Sequence, residues 1–541
     1  MRLRFQFTRS STRSLALLLV PVSVLANAAV TAPTPPATFD TTYNHQSGST
    51  IAVPAGGNLQ AALNSAHAGD TIVLQAGASF NGPFTLPNTK GTGWVYVTSS
   101  AYANLPSPDS RVSPADAANM PNITGTSTGV TALQTASGAH QFRFVGVEFK
   151  PTPGSFLVNL ITLGNGESSV ATLPSDIIFD RCYIHGDPTI GGRRGVAMNG
   201  TRIAVINSYV ADFKESGADS QALWAANTPG PLKVVNNYLE GAAENVLFGG
   251  ADPTIKNVVP SDIEIRNNHF MKPLSWNNSN WVIKNLLEFK MAQRILVANN
   301  VFENVWAAAQ AGFAIVITPR NQDGGAPWAT VTDLIIVDNR IINAGQGFNI
   351  SGTDDLHPSL RSERIQIKNN VMNVTGIGGA NGRAYQVIEG PIDLQIDHNT
   401  TIISGGQNSA LMLAENIPVS AERFAFTNNI GSKGSYGVAG SGTGDGTVAL
   451  TKYFLNWSFT KNVIIGATAS AYPPDNFFPT GVTAVNFVDA AGGNFQLAAN
   501  SPYKNAGTDG KDLGADLNAV VAATTVANSG VPMAPTNFQI K

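Results

Sequence analysis

Apolar residues alternate with polar ones in short runs along most of this chain, and the runs recur. FRFVGVEF (142–149), DIIFDRCYI (176–184), RIAVINSYV (202–210), PLKVVNNYL (231–239) and DIEIRNNHF (262–270) share one pattern. RILVANNVF (294–302), DLIIVDNRI (333–341), RIQIKNNVM (364–372), DLQIDHNTT (393–401) and RFAFTNNIG (423–431) continue it. Alternation within each copy predicts a strand with one buried face. The copies start 26 to 39 residues apart, and no helical periodicity lies between them. A period of roughly 30 residues built from strands predicts a solenoid. Propeller blades need four strands over ~40–45 residues, and leucine-rich repeats a shorter period. An all-β parallel β-helix of about ten coils, with three short strands per coil, is what remains.

An asparagine closes most copies. Asn207, Asn237, Asn268, Asn300, Asn339, Asn370, Asn399 and Asn429 are expected at one place per coil. There, side-chain amides can bond their equivalents one coil away, and Asn tolerates a left-handed turn. This ladder is structural, and His398 reads as a structural replacement within it. Second strands follow the first, among them Val196–Asn199, Gln221–Ala225, Asn245–Gly249, Leu286–Lys290 and Phe313–Thr318. The segment NLQAALNSAH (58–67) puts Leu59, Ala62, Leu63 and Ala66 on one helical face. It is expected to cap the first coil and cover its unpaired strand edges. Residues 434–494 are less regular, as a wide last coil or a lateral excursion would be.

Composition narrows the class. Of 541 residues, 43% are hydrophobic and 13% charged, about half the usual ~25% charged. Coiled coils and disordered chains are excluded. A net charge of −3 with no basic run after the first 15 residues argues against nucleic acid as a partner. The N-terminus has Arg2, Arg4, Arg9 and Arg13, then an apolar stretch from Leu15 to Leu25, then Ala26-Asn27-Ala28. That layout predicts a secretory signal peptide over 1–28, with a transit peptide as the alternative. A Pro/Thr-rich linker over 29–49, a β-helix domain over 50–520 and a C-terminal tail over 521–541 follow. A secreted monomer, extracellular or periplasmic and without a membrane span, is expected. The lone Cys182 permits no internal disulfide and reads as a buried small hydrophobe.

The opening helix followed by GDTIVL (69–74) and the close SPYKNAGTDG (501–510) resemble those of secreted bacterial members of the right-handed parallel β-helix, or pectate-lyase-like, superfamily. The resemblance covers about residues 50–520. It implies carbohydrate action without naming the sugar. Asp354-Asp355 only echoes the polygalacturonase motifs. The Gly-His-Gly of those enzymes and the Arg-x-Pro-x-x-Arg of pectate lyases do not occur.

A lyase acting on a uronic-acid polymer must neutralise the sugar carboxylate, abstract the C5 proton and protonate the leaving oxygen. A hydrolase needs two carboxylates. Charge is therefore sought on the second strands, where the fold asks for none. With Leu287 and Phe289 inward, Glu288 and Lys290 face out; Glu244, Asp252 and Arg320 are expected beside them. In the lyase reading Lys290 is the base and Arg320 holds the carboxylate. In the hydrolase reading Glu244 and Glu288 are acid and base. Arg193 and Arg194, in a Gly-rich loop, bind anionic sugar or mark a solvated turn. Trp224, Trp276, Trp281, Trp306 and Trp328 offer indole faces to sugar rings or pack loops onto the sheet. Asp219 is a calcium ligand or a turn former; Ca²⁺ is the one metal considered, since no His pair has zinc spacing. The competing class is a non-catalytic adhesin, surface structural protein or glycan-binding β-helix. The degenerate repeats and the lopsided patch of charge and Trp favour a secreted polysaccharide lyase or hydrolase.

Overall fold

A computed structural model describes residues 29–88, 91–415 and 419–528. The expected signal peptide lies outside the described residues, as do residues 529–541. The chain winds as a right-handed parallel β-helix. Three all-parallel sheets of 15, 12 and 13 strands run its length. The ten repeats form consecutive strands of the first sheet, from His140–Val145 to Ala421–Thr427. Their inward positions stack in register, as in Ile263↔Ile295↔Leu334↔Ile365↔Leu394, and all five side chains are buried. The solenoid is longer than the repeats. Thr50–Val53, Thr71–Leu74 and Val95–Ser99 precede them in the same sheet. None carries the closing asparagine that marked the other coils.

Within the turn after the first-sheet strands from Leu232–Val235 onward stands the asparagine ladder. Asn268 Nδ2 donates to Asn300 Oδ1 at 3.0 Å, and Asn300 to Asn339 at 3.0 Å. The same step links Asn237 to Asn268 and continues through Asn370, Asn399 and Asn429 to Asn462. Asn207 is the exception. It occupies the preceding position, where the backbone is left-handed, with Asn236, Asn267, Asn299, Asn369, His398 and Asn428. Ser208 stands at the ladder level; its N–H donates to Asn237 Oδ1 at 2.9 Å, and its Oγ accepts from the Cys182 N–H at 3.0 Å. The Asn-Asn doublets conceal which member turns and which stacks. His398 likewise fills a turn position, beside the ladder residue Asn399.

Helices close the ends. Leu59–Ser65 buries Leu59, Ala62 and Leu63, and Asn58 caps it by accepting from the Ala61 N–H. At the other end Thr447–Tyr453 buries Ala449, Leu450 and Tyr453 in the core. The irregular 434–494 region therefore holds a helical plug together with a last, distorted coil. Beyond residue 521 the expected tail begins inside a helix, Leu517–Asn528. Its Leu517 and Val520 pack with Val371, Ile402 and Ile430 of the third sheet.

The stretch read as a linker is a strap. Thr31, Thr34 and Ala37 donate their backbone N–H groups to Asp393, Asp333 and Asp262, each at 2.9 Å. Those aspartates lie two coils apart, about 9.6 Å at ~4.8 Å per strand. Three residues of polyproline II rise about 9.3 Å, so this Pro-rich segment and the sheet keep step. Further along, Lys233 Nζ donates to the Phe39 carbonyl at 2.7 Å, and Arg143 to the Thr41 carbonyl at 2.8 Å. Tyr43 bonds Asp180, and the Asn44 N–H meets the Tyr96 hydroxyl. Among the described residues no helix is long and apolar enough to cross a membrane.

Candidate functional site

The second sheet carries the charge. Its strands Arg194–Met198, Gln221–Ala225, Glu244–Phe248 and Asn285–Phe289 are neighbours. Leu287 and Phe289 enter the core, which turns Glu288 outward, as alternation requires. The first residues of these strands stand in one register row: Arg194, Gln221, Glu244 and Asn285.

A polar chain follows that row. Arg194 Nε donates to Gln221 Oε1 at 2.9 Å, and Gln221 Nε2 to Glu244 Oε2 at 2.8 Å. Lys284 Nζ lies 3.8 Å from Glu244 Oε1 and 2.5 Å from Asp219 Oδ2. Asn285 Nδ2 donates to Glu288 Oε2 at 2.9 Å, and Lys290 Nζ stands 3.7 Å from Glu288 Oε1. Five named sequence candidates, Arg194, Asp219, Glu244, Glu288 and Lys290, thus share one patch made of two bonded groups on neighbouring strands, Arg194–Gln221–Glu244–Lys284–Asp219 and Asn285–Glu288–Lys290. Gln221, Lys284 and Asn285 belong to it and were missed. Pairing the strands in register would have found Gln221 and Asn285 opposite Glu244.

Burial sorts the cluster. Glu244 is 0% exposed. Desolvation, helped by the charges of Glu288 and Asp219, pushes its carboxyl up to about 8. Beneath it Lys272 is also buried, donating to the carbonyls of Gly241, Ala242 and Ala243 and to Asn245 Oδ1. Burial pushes that ammonium down to about 7. Burial alone would lower Lys284, but Glu244 and Asp219 override it and raise it. Arg194 is held below its ordinary value by burial and then by Arg193. Arg193 is raised through its bond to Glu215, a bidentate pair at 2.6 and 2.8 Å.

Other candidates take different places. Arg320 reaches the patch through its backbone, whose N–H donates to the Lys290 carbonyl at 2.8 Å. Its guanidinium points to Asp354 and Asp355 at 2.6 and 2.8 Å. Asp252 accepts from the Asp323 and Gly325 N–H groups, tying their loop to the sheet. It also borders a pocket of about 280 Å³ with Arg194 and Trp224. Trp224 lies under the Arg194 guanidinium, 4.4 Å from ring centre to carbon, and donates Nε1–H to the Gly249 carbonyl.

Three expectations need correcting. Trp276 and Trp306 are buried with Ala242 and Ile283, and Trp281 packs against them. They fasten a loop, so Trp276 and Trp306 offer no sugar platform. Trp328 packs on Met291 and Ala326 and bonds the Val258 carbonyl. Glu244 has no exposed surface, which removes it as an acid or base touching substrate. Asp219 faces a lysine ammonium where a calcium ion was considered, and no group of three His, Cys, Asp or Glu suited to a metal occurs among the described residues.

No protein-family profile and no curated protein matches this chain. Solved structures do. An alginate lyase from Paenibacillus sp. str. FPU-7 aligns over 73% of this chain and 97% of its own, at 14% identity and a TM-score of 0.30. PL6 family alginate lyase AlyGC aligns over 86% of this chain at 12% identity and a TM-score of 0.47; the match spans 58% of that protein. PfbA, a surface adhesin of Streptococcus pneumoniae, aligns over 69% of this chain and 87% of its own, at 11% identity and a TM-score of 0.33.

Proposed function

We propose that this is an exported polysaccharide lyase acting on an acidic polymer laid along the outer face of the second sheet. Lys290 carries the reading. Its Nζ lies 3.7 Å from Glu288 Oε1, and no hydrogen bond holds it among the described residues. The polymer's carboxylates would lie against Lys284, Lys290 and Arg320, and Trp224 with Asp252 would line the neighbouring subsite. Lys290 takes the C5 proton; the C5–H electrons form the C4=C5 double bond, the C4–O bond breaks, and the leaving oxygen takes a proton from water. Hydrolysis by a Glu244/Glu288 pair is disfavoured, because Glu244 cannot reach a glycosidic oxygen. Binding without cleavage is the second reading. It is favoured by Arg193, Lys284 and Arg320 each being held by a carboxylate.

A panel of acidic and neutral polysaccharides tests this. Ultraviolet absorbance of an unsaturated product together with new reducing ends is expected on an acidic polymer. Reducing ends alone would mean hydrolysis. Retention on immobilised polymer with neither signal would leave only the binding reading.

A further inference from the structure

We propose that a pocket on the third sheet, rather than the second, binds a sugar acid, with its carboxylate on Arg340 and its hydroxyls on Asn373 and Asn494. The pocket holds about 440 Å³ between that sheet, the C-terminal helix Leu517–Asn528 and the antiparallel hairpin of Phe487–Asp489 and Asn494–Leu497. Arg340, Val371, Asn373, Asn494, Leu517 and Val521 line it, and its size falls in the ~300–1,000 Å³ range of small-ligand sites. Arg340 and Val371 are register partners on neighbouring strands. Val371 is buried with Ile402 and Ile430 under Leu517 and Val520. The fold fills that face with apolar side chains and needs no charge at its edge.

Arg340 makes no ion pair and no side-chain hydrogen bond among the described residues. The carboxylate that acts on it, Glu303, already meets His269 Nε2 at 2.9 Å. Burial holds the Arg340 guanidinium below its ordinary value, and Glu303 offsets this only in part. A charge held out of water without a partner is costly, and a carboxylate accepting both prongs of the guanidinium removes that cost. Asn373 stands two residues beyond Val371, on the same face of its strand. It is buried, and no hydrogen bond holds its amide among the described residues. Asn494 Oδ1 accepts from the Gln496 N–H at 3.1 Å, which leaves Nδ2 to donate. A forked cation, two carboxamides and apolar walls match a ring that carries a carboxylate, hydroxyls and C–H faces. The choice of a sugar acid rests on the reading of this chain as one that meets acidic polymers; the pocket and its unpaired groups do not.

Calorimetric titration of the full chain with galacturonate and glucuronate, with melting curves alongside, tests the proposal. Wild type should bind a uronate and melt higher in its presence, and glucose, which lacks the carboxylate, should do neither. Arg340→Gln should weaken uronate binding by about tenfold or more and remove the shift in melting temperature. Asn373→Ala should weaken it by less. Lys290→Ala, on the other sheet, should bind the monosaccharide as wild type does, even where it has lost all action on polymer, so the two sites fail separately. In that Lys290→Ala background, trigalacturonate binding more tightly than galacturonate would make a polymer end the source of the ligand, and equal binding would make it the free sugar. No uronate binding by the wild type overturns the proposal. So does equal binding of glucose, or uronate binding lost in Lys290→Ala alone. If Arg340→Gln does not fold, Asn373→Ala decides, and binding unchanged in that variant overturns the proposal.

Discussion

The outer faces of the first and second sheets both carry charge, and they differ in its rhythm. On the first sheet, Asp176–Arg202, Asp262–Arg294, Asp333–Arg364 and Asp393–Arg423 pair coil to coil. All eight residues have left-handed backbones, so the pairs recur with the turn that holds them. Three of the four aspartates, Asp262, Asp333 and Asp393, are used again by the strap. On the second sheet the charges occupy neighbouring coils without a repeat, and Glu244 Oε1 and Asn285 Oδ1 remain unpartnered. Charge that repeats with the coil serves the coil. Charge that appears once, buried and incompletely satisfied, is not explained by the coil, and it is where the proposed polymer binding or cleavage would sit.

The comparison breaks most visibly at Lys290. Lys290→Ala should lower turnover on the best polymer by ~10²-fold or more, with the melting temperature nearly unchanged. Full activity in that variant would move the search to Arg193 and Arg194. Next in size is the ladder. Asn300→Leu or Asn370→Leu should destabilise by about 1–3 kcal/mol, because both residues are buried and their amide partners are left unpaired; chemical denaturation measures it. A titration sharpens the contrast further. Glu244 binds its proton more tightly folded than unfolded, so its contribution is full below about 4.5 and is lost as pH rises through about 8. Glu244→Gln should therefore flatten the fall in stability between those values. The smallest effect belongs to the first sheet: Arg364→Ala, in a partly exposed pair, should cost ~0.2–1 kcal/mol and leave polymer binding unchanged.

The architecture was legible because period, alternation and closing asparagine all recur, and each copy repeats the message. Leu287 and Phe289 fixed the direction of Glu288 for the same reason. What could not be read was depth. Glu244 opens its strand like an exposed polar residue, yet Arg194, Gln221 and Lys284 cover it from neighbouring coils. Trp306 lies in the same stretch as Trp224 but is 1% exposed, a difference made by loop packing between coils. Arg320 pointed to the patch by position, and only the fold brings Asp354 and Asp355 up to claim it. Asn207 was misplaced by one residue, since its copy reads Asn207-Ser208 where most others carry an Asn-Asn doublet, and a lone amide does not say whether it turns or stacks.

The strap changes how this solenoid holds together. A stack of coils passes stability between nearest neighbours, so it can fray from an end or loosen in the middle. Here Thr31 is bonded to Asp393, 362 residues away, and Ala37 to Asp262, 225 residues away. The segment 31–37 can dock in full only after the ninth repeat has been wound. Until then it waits, and the coils form on local contacts alone. Once seated, it works as a tie rod: opening a coil between Asp262 and Asp393 must lengthen the span that it bridges, so neighbour-by-neighbour melting gives way to cooperative loss of the whole stretch.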